Sequence, residues 1–275
     1  MSQTSDSRSL AEKQEALSTA LRELGRVVVA FSGGVDSSLL LYAAKQTLAD
    51  DAIGVTVTTP YIPQWEIDEA IAFSERFGIR HECVEAPFLE ELRDSPEDRC
   101  YRCKTFLFTS LKAFAAEHDA VLIEGTNQDD LGDYRPGLKA LKELSVRSPL
   151  LEAGLTKQDI RDLSSAWGLP TWDKPAYACL LTRIPYGDRV TSGGLHQIES
   201  AETALMGLGF RAVRVRHYGE LARIEVPPEQ IAAAAADPLR AQIVDAVIAA
   251  GYRFVTLDLS GYRMGSLNPE RKAET

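Results

Sequence analysis

A continuous apolar, β-branched run, Val27-Val28-Val29-Ala30-Phe31, ends on Ser32-Gly33-Gly34-Val35-Asp36-Ser37. Such a run suits a strand buried on both faces of a parallel sheet, because a half-exposed strand would alternate. The two glycines permit positive φ and close backbone approach, and residues 37–49 are helical in pattern. A strand that turns into a helix in so few residues aims free N–H groups and the positive dipole end at whatever lies beyond it. A phosphate fits there, with Ser32 and Ser37 adding hydroxyl donors; the plain alternative is a strand-to-helix turn built on Gly-Gly. The G-x-x-x-x-G-K-[ST] pattern of kinases and GTPases is absent, so the loop has no lysine of its own for a γ-phosphate. Asp36 would repel a phosphate unless Mg2+ bridged the two.

The alternation continues along the chain. Residues 53–58 read as a strand, 64–77 as a helix, 81–84 as a strand, 104–118 as a helix and 120–125 as a strand with Gly125 at its carboxyl end. Thr156 opens a helix over 157–167, with Asp159 three residues on, close to a capping box. Strands alternating with helices predict an α/β fold with a doubly wound parallel sheet. After Val190 the order changes to helix (193–208), strands (212–217 and 221–226), helix (238–250) and strand (254–259). That predicts a smaller C-terminal α+β domain, with a boundary in the 187–194 loop and domains at 1–188 and 189–275. Residues 1–14 are polar, carry both charge signs and lack an apolar h-region, so they read as a frayed terminus and not a secretion signal.

With 45% apolar and 25% charged residues over 275 positions, the chain has enough apolar surface for a core and is not disordered as a whole. Apolar runs such as 27–31 and 39–41 fall well short of the roughly 18 residues a membrane span needs, so a soluble, cytoplasmic protein is expected. The net charge of −10 argues against a nucleic-acid partner, which usually meets a basic face.

Four cysteines are too few for a disulfide scaffold in a chain of this length. Cys100 and Cys103 form a C-x-x-C ahead of the 104–118 helix, where the helix start and Arg99, Arg102 and Lys104 should lower the thiol pKa. Cys179 lies in Ala178-Cys179-Leu180-Leu181-Thr182-Arg183-Ile184-Pro185-Tyr186-Gly187. Three cysteines cannot close a four-ligand zinc site unless a histidine joins, whereas an iron-sulfur cluster with one open iron needs three. A transient redox pair, or thiols that merely pack, are the plainer readings. Cys83 alternates within a strand and reads as a small buried hydrophobe.

Arg214 and Arg216, two apart on one strand, share a face. If Arg263 joins them, three guanidinium forks converge on an anion, most simply a second phosphate. Taken singly, each is as well read as a solvated surface charge. Two further motifs stand apart from these: Glu124-Gly125-Thr126-Asn127 at a strand end, and Asp133-Tyr134-Arg135-Pro136-Gly137.

The hexapeptide Ser32–Ser37 resembles the pyrophosphate loop of the N-type ATP pyrophosphatases, which cleave ATP between its α- and β-phosphates and adenylate a substrate oxygen. The resemblance implies ATP held by Ser32, Gly33, Gly34, Asp36, Ser37 and Gly125, with Mg2+ on Asp36. In order along 26–268, SGGVDSS, DYRPG, ACLLTRIPYG, VRVRHYG, LARIEV and LDLSGYRMGS are similar to the larE-type sulfur transferases of nickel-pincer nucleotide biosynthesis. This implies activation of a carboxylate of pyridinium-3,5-dicarboxylate mononucleotide by ATP and its conversion to a thiocarboxylate. The substrate's own phosphate would account for Arg214, Arg216 and Arg263.

The family divides by sulfur source. In one branch a single cysteine, matching Cys179, surrenders its sulfur and becomes dehydroalanine. In the other, three cysteines hold a [4Fe-4S] cluster, and the presence of Cys100 and Cys103 beside Cys179 favours that branch. The expected partners are the pyridinium nucleotide, a second copy of the chain in a homo-oligomer, and a nickel-inserting enzyme that takes the product, with no nucleic acid or membrane. A tRNA thiolase of the same superfamily is the first alternative, and it would need a basic RNA surface. A non-catalytic ATP-binding regulator is the second, and it would need neither Asp36 nor a reactive cysteine set.

Overall fold

Strand β1 (Val27–Ala30) lies inside a parallel sheet of four strands ordered β3-β2-β1-β4, with β2 at Ala52–Thr58, β3 at Arg80–Glu85 and β4 at Val121–Ile123. The computed structural model describes residues 8–132 and 136–263. It divides into two units, the residues to Pro87 with Cys100–Tyr177, and Phe88–Arg99 with the residues from Ala178 onward. The chain thus enters the second unit at Phe88, returns to the first at Cys100 and enters the second again at Ala178.

In the first unit the apolar run is explained by its two faces. Val27 and Val29 join a core with Leu17 and Leu21 of α1 (Leu10–Leu24), Leu39 and Leu40 of α2 (Val35–Leu48), and Phe73 of α3 (Gln64–Arg76). Val28 points the other way, into a core with Ile53, Val55 and Leu111 of α4 (Arg99–Glu117). Both faces are covered, as a parallel sheet requires, so every residue of β1 is apolar. Two short helices, α5 (Pro136–Glu143) and α6 (Pro149–Glu152), lead to α7 (Lys157–Ala166), whose Ile160 and Leu163 enter the first core.

Three local expectations are corrected. Residues 10–14 are not frayed: Ser9 caps α1 in a capping box with Glu12, and Leu17 and Leu21 anchor the helix; residues 1–7 lie outside the described residues. Helix α4 begins at Arg99, so Cys100 and Cys103 sit inside its first turns and not ahead of it. Cys83 is exposed, because β3 is an edge strand.

The second unit carries β5 (Arg214–Tyr218), β6 (Leu221–Glu225) and β7 (Phe254–Leu257), with β5 and β6 antiparallel and β6 and β7 parallel. Helix α8 (Ser192–Gly207) before β5 and helix α10 (Leu239–Ala249), which follows the single-turn α9 (Ile231–Ala234), supply Ala201, Leu205 and Val247 to a core with Val215, Ala222 and Ile224. Residues 88–99 belong here through backbone bonds: Val190 N–H donates to Arg93 O at 2.7 Å and Gly187 N–H to Ser95 O at 3.1 Å.

In the parallel sheet, α2 leads from β1 to β2 on one side while β4 lies on the other. The carboxyl ends of β1 and β4 therefore flank the point where the strand order reverses, the usual crevice for ligands in open α/β sheets.

Candidate functional site

At that crevice Gly33 takes φ +67°, and a Cβ on it would meet Ala70 of α3 at 3.4 Å. Gly34, in extended conformation, is the N-cap of α2 and offers no side chain to its first turn. The leading N–H groups of α2 thus open towards the crevice, as an anion would need. Ser37 Oγ donates to Gly34 O at 3.2 Å and accepts from Ser32 N–H at 3.3 Å. The two hydroxyls lie 3.1 Å apart, and either is able to donate to the other. Both serine hydroxyls thus bond within the loop.

Asp36 is held from two sides. Asn127 Nδ2 donates to its Oδ1 at 3.2 Å, and Lys157 Nζ forms a close ion pair with its Oδ2. Lys157 is the first residue of α7, positioned by the Thr156–Asp159 capping box and by its own N–H, which donates to Asp129 Oδ2 at 2.7 Å. The loop lacks a lysine of its own, but the fold brings one in from elsewhere. Gly125 matters for approach: a Cβ there would lie 3.1 Å from Ser37 N and 3.2 Å from Asp36 Cβ. Beside it, Glu124 accepts from Thr126 N–H at 3.1 Å and Oγ1 at 2.8 Å, and from Ser148 Oγ, while Asn127 N–H donates to Asp130 Oδ2 at 3.0 Å.

The donor chemistry suits Mg2+ with a nucleotide, because that ion is commonly held by one or two carboxylates plus substrate phosphates. Asp36 would be the protein ligand. The Lys157 ammonium neutralises the same carboxylate and could turn to a phosphate once a cation took its place.

None of the four cysteines is in a disulfide. Tyr61 Oη and Cys103 Sγ lie 3.3 Å apart, and burial pushes the Cys103 thiol up despite that hydrogen bond. At Cys103 this corrects the expected low-pKa thiolate: burial outweighs the Tyr61 hydrogen bond and the Lys104 charge. Cys179 is the N-cap of a 3-10 turn at Leu180–Arg183, and its carbonyl accepts from Thr182 N–H at 3.0 Å and Arg183 Nη1 at 3.2 Å. Among the described residues, no group of three or more His, Cys, Asp or Glu side chains could hold a metal ion.

In the second unit Arg183, Arg214 and Arg216 are buried. Arg183 is fully buried and grips Glu202 with two bonds, Nε to Oε1 at 2.8 Å and Nη2 to Oε2 at 2.7 Å. Glu202 Oε1 also accepts from Val215 N–H at 2.8 Å. Arg216 donates to Thr182 O at 2.8 Å and to Glu225 Oε2 at 2.6 Å, and Glu225 Oε1 takes Arg223 from the opposite position of β6 at 2.9 Å. Arg214 donates to Val213 O at 2.8 Å and lies 4.9 Å from the Tyr262 ring centroid. Burial first, and then the Arg183 charge, press its pKa down. Glu202 and Glu225 are buried as well.

A family model described as asparagine synthase matches residues 12–110, the part holding the loop. Over half the chain there is 31% identity to a subunit of the glutamine-hydrolyzing GMP synthase of Methanococcus maripaludis, covering 53% of this chain and 51% of that one. An uncharacterized protein of Synechocystis is 42% identical over 94% of this chain and 98% of its own. Pyridinium-3,5-bisthiocarboxylic acid mononucleotide synthase of Lactiplantibacillus plantarum is 36% identical over 94% of this chain and 95% of its own. The chain belongs to the larE-type family of the pyrophosphate-loop superfamily.

In this larE-type chain Gly125 packs against Asp36 and Ser37, and Ser37 bonds Ser32. Lys157 and Asn127 bond Asp36; Asn127 ends the 124–127 motif, while Lys157 stands in no motif. Arg214 and Arg216 share a strand face, and the Arg183 guanidinium, with Arg216 after it, acts on Arg214 there. Arg263 is exposed at the end of the described residues. Asp133, Tyr134 and Arg135 of the DYRPG motif, and Met264, Gly265 and Ser266 of the last motif, lie outside them. No helix among the described residues is long and apolar enough to cross a membrane.

Proposed function

We propose that this chain uses ATP and Mg2+ to adenylate a carboxylate of pyridinium-3,5-dicarboxylate mononucleotide and then exchanges the adenylate for sulfur, giving a thiocarboxylate of the nickel-pincer cofactor. A carboxylate oxygen attacks the α-phosphorus, the bond to the β-phosphate breaks, and pyrophosphate leaves towards the loop. The leading N–H groups of α2 and the Lys157 ammonium stabilise the charge that develops on it. A sulfur nucleophile then attacks the acyl carbon and AMP departs. The observation that carries this reading is Asp36, set at the helix start between Lys157 and Asn127. It is supported by near full-length similarity to the Lactiplantibacillus plantarum synthase.

Arg214 and Arg216 are proposed to receive the substrate's phosphate, with Arg263 as a third contact. Self-assembly and hand-over of the product to a nickel-inserting enzyme belong to the same proposal. The test is incubation with ATP, Mg2+ and the mononucleotide, followed by mass spectrometry for a nucleotide in which sulfur has replaced oxygen. No such product under anaerobic conditions would contradict it.

Cys100, Cys103 and Cys179 are proposed to hold a [4Fe-4S] cluster, which when bound would supply an exchangeable sulfide. The fit rests on donor chemistry, three thiols for an open-iron cluster, and not on an assembled site. What the chain itself does is fix the Cys179 backbone through Arg183, braced by Glu202, and place Cys100 and Cys103 one helical turn apart on α4.

Burial changes what an arginine variant should do. Arg216→Ala should weaken nucleotide-substrate binding by about 1.5–3 kcal/mol. It should also lower unfolding free energy by about 3–5 kcal/mol, because buried Glu225 loses its buried partner and keeps only the part-exposed Arg223 of the two. Denaturant unfolding and substrate titration on the folded fraction separate the two, and unchanged stability would contradict the buried-pair reading.

A further inference from the structure

One lysine beside the loop has no part in the chemistry above. Lys174 Nζ donates to Gly33 O at 2.9 Å and pairs with Glu69 at 2.6 Å, its side chain only 12% exposed. The ammonium lies 5.7 Å from the Trp65 ring and 5.8 Å from the Tyr177 ring, and these rings meet edge to face at 4.8 Å. The backbone around Lys174 is tied from behind. Arg161 Nη1 donates to Trp172 O at 2.6 Å and Nη2 to Lys174 O at 3.0 Å. Arg161 follows Lys157 by one turn on α7, so one helix face serves both Asp36 and the backbone that carries Lys174.

A trans peptide points its C=O and N–H in opposite directions. A donor that holds the Gly33 carbonyl therefore sets the Gly34 N–H on the other side of the same peptide. Glycine reaches φ +67° readily but, with no Cβ, is not confined to it. Ser32 and Ser37 brace the flanking peptides through Ser32 N–H and Gly34 O, and the Gly33 carbonyl is left to Lys174. Stability alone is a poor reason for the lysine, since Glu69 is more than half exposed and such pairs contribute little.

We propose that Lys174 is a positioning residue for nucleotide binding, acting through the Gly33–Gly34 peptide so that the Gly34 N–H faces the phosphate the loop receives. This rests on the reading of the loop as an ATP site. The test uses the full chain with Lys174→Met, which keeps an apolar stem against Trp65 and Tyr177 and removes the ammonium. Lys174→Gln repeats it with a polar stem, and Lys174→Arg restores a cationic donor. Inorganic pyrophosphate with Mg2+ is titrated by calorimetry, and amide exchange is followed at Gly34.

Both Lys174→Met and Lys174→Gln should bind pyrophosphate on the order of tenfold more weakly, the loss of one charged hydrogen bond. Their melting temperature should be unchanged and Gly34 exchange faster, while Lys174→Arg recovers most of the affinity. Wild-type affinity in the Met and Gln variants, or a loss that Arg does not rescue or that follows a fall in melting temperature, would overturn the positioning role. If the unaltered chain binds neither pyrophosphate nor ATP, the ATP-site reading fails instead.

Discussion

Asp36→Asn should reduce ATP-dependent pyrophosphate release by at least about 100- to 1000-fold, the scale on which one electrostatic contact to a transition state counts. The substitution keeps the shape of the side chain and leaves an oxygen for Asn127, so the loop should retain its form. What is lost is the negative charge that would hold Mg2+ against the phosphates and now balances Lys157. Lys157 and Asp36 are both partly exposed, so the unmatched ammonium can be solvated and the cost in stability should be small. Pyrophosphate release and thermal unfolding check the two halves separately. Normal release from a folded variant would remove Asp36, and with it the loop, from the chemistry.

The cysteines should show the second large effect. Protein purified without oxygen should be brown and carry iron and sulfide, and Cys100→Ala, Cys103→Ala and Cys179→Ala should each lose the iron. Chain mass should be unchanged after reaction. Because burial raises the Cys103 pKa, the thiol is protonated at neutral pH and must release its proton to a metal. Iron uptake should therefore improve as pH rises. The competing chemistry leaves a different mark: a loss of about 34 Da, one H2S, as Cys179 becomes dehydroalanine. That loss in iron-free, active protein, with Cys100 and Cys103 dispensable for one round, would overturn the cluster.

The loop was legible in sequence because everything that defines it is contiguous: an apolar strand, two glycines, and a helix start within Val27–Ser37. The same holds for the Thr156–Asp159 cap. Its partner residues were not legible as a site, because Lys157 and Asn127 lie about a hundred residues away and meet Asp36 only through the strand order β1-β4 and the placement of α7. Cys83 was misread for a related reason, since whether a strand is central or at an edge is a property of the sheet and not of the strand. For the arginines the missing information was acidic. Glu202 lies outside any motif and Glu225 is a single acid within LARIEV, yet they decide that Arg183 and Arg216 are buried and paired. The start of α4 at Arg99 went unseen because the C-x-x-C drew the boundary to Lys104.

The most direct test is pyrophosphate release from ATP and Mg2+ with pyridinium-3,5-dicarboxylate mononucleotide, with tRNA, and with neither, at one protein concentration. Release confined to the mononucleotide, with AMP formed in equal amount, is the expected result. Release that requires tRNA, or none with the mononucleotide, would contradict the proposed function.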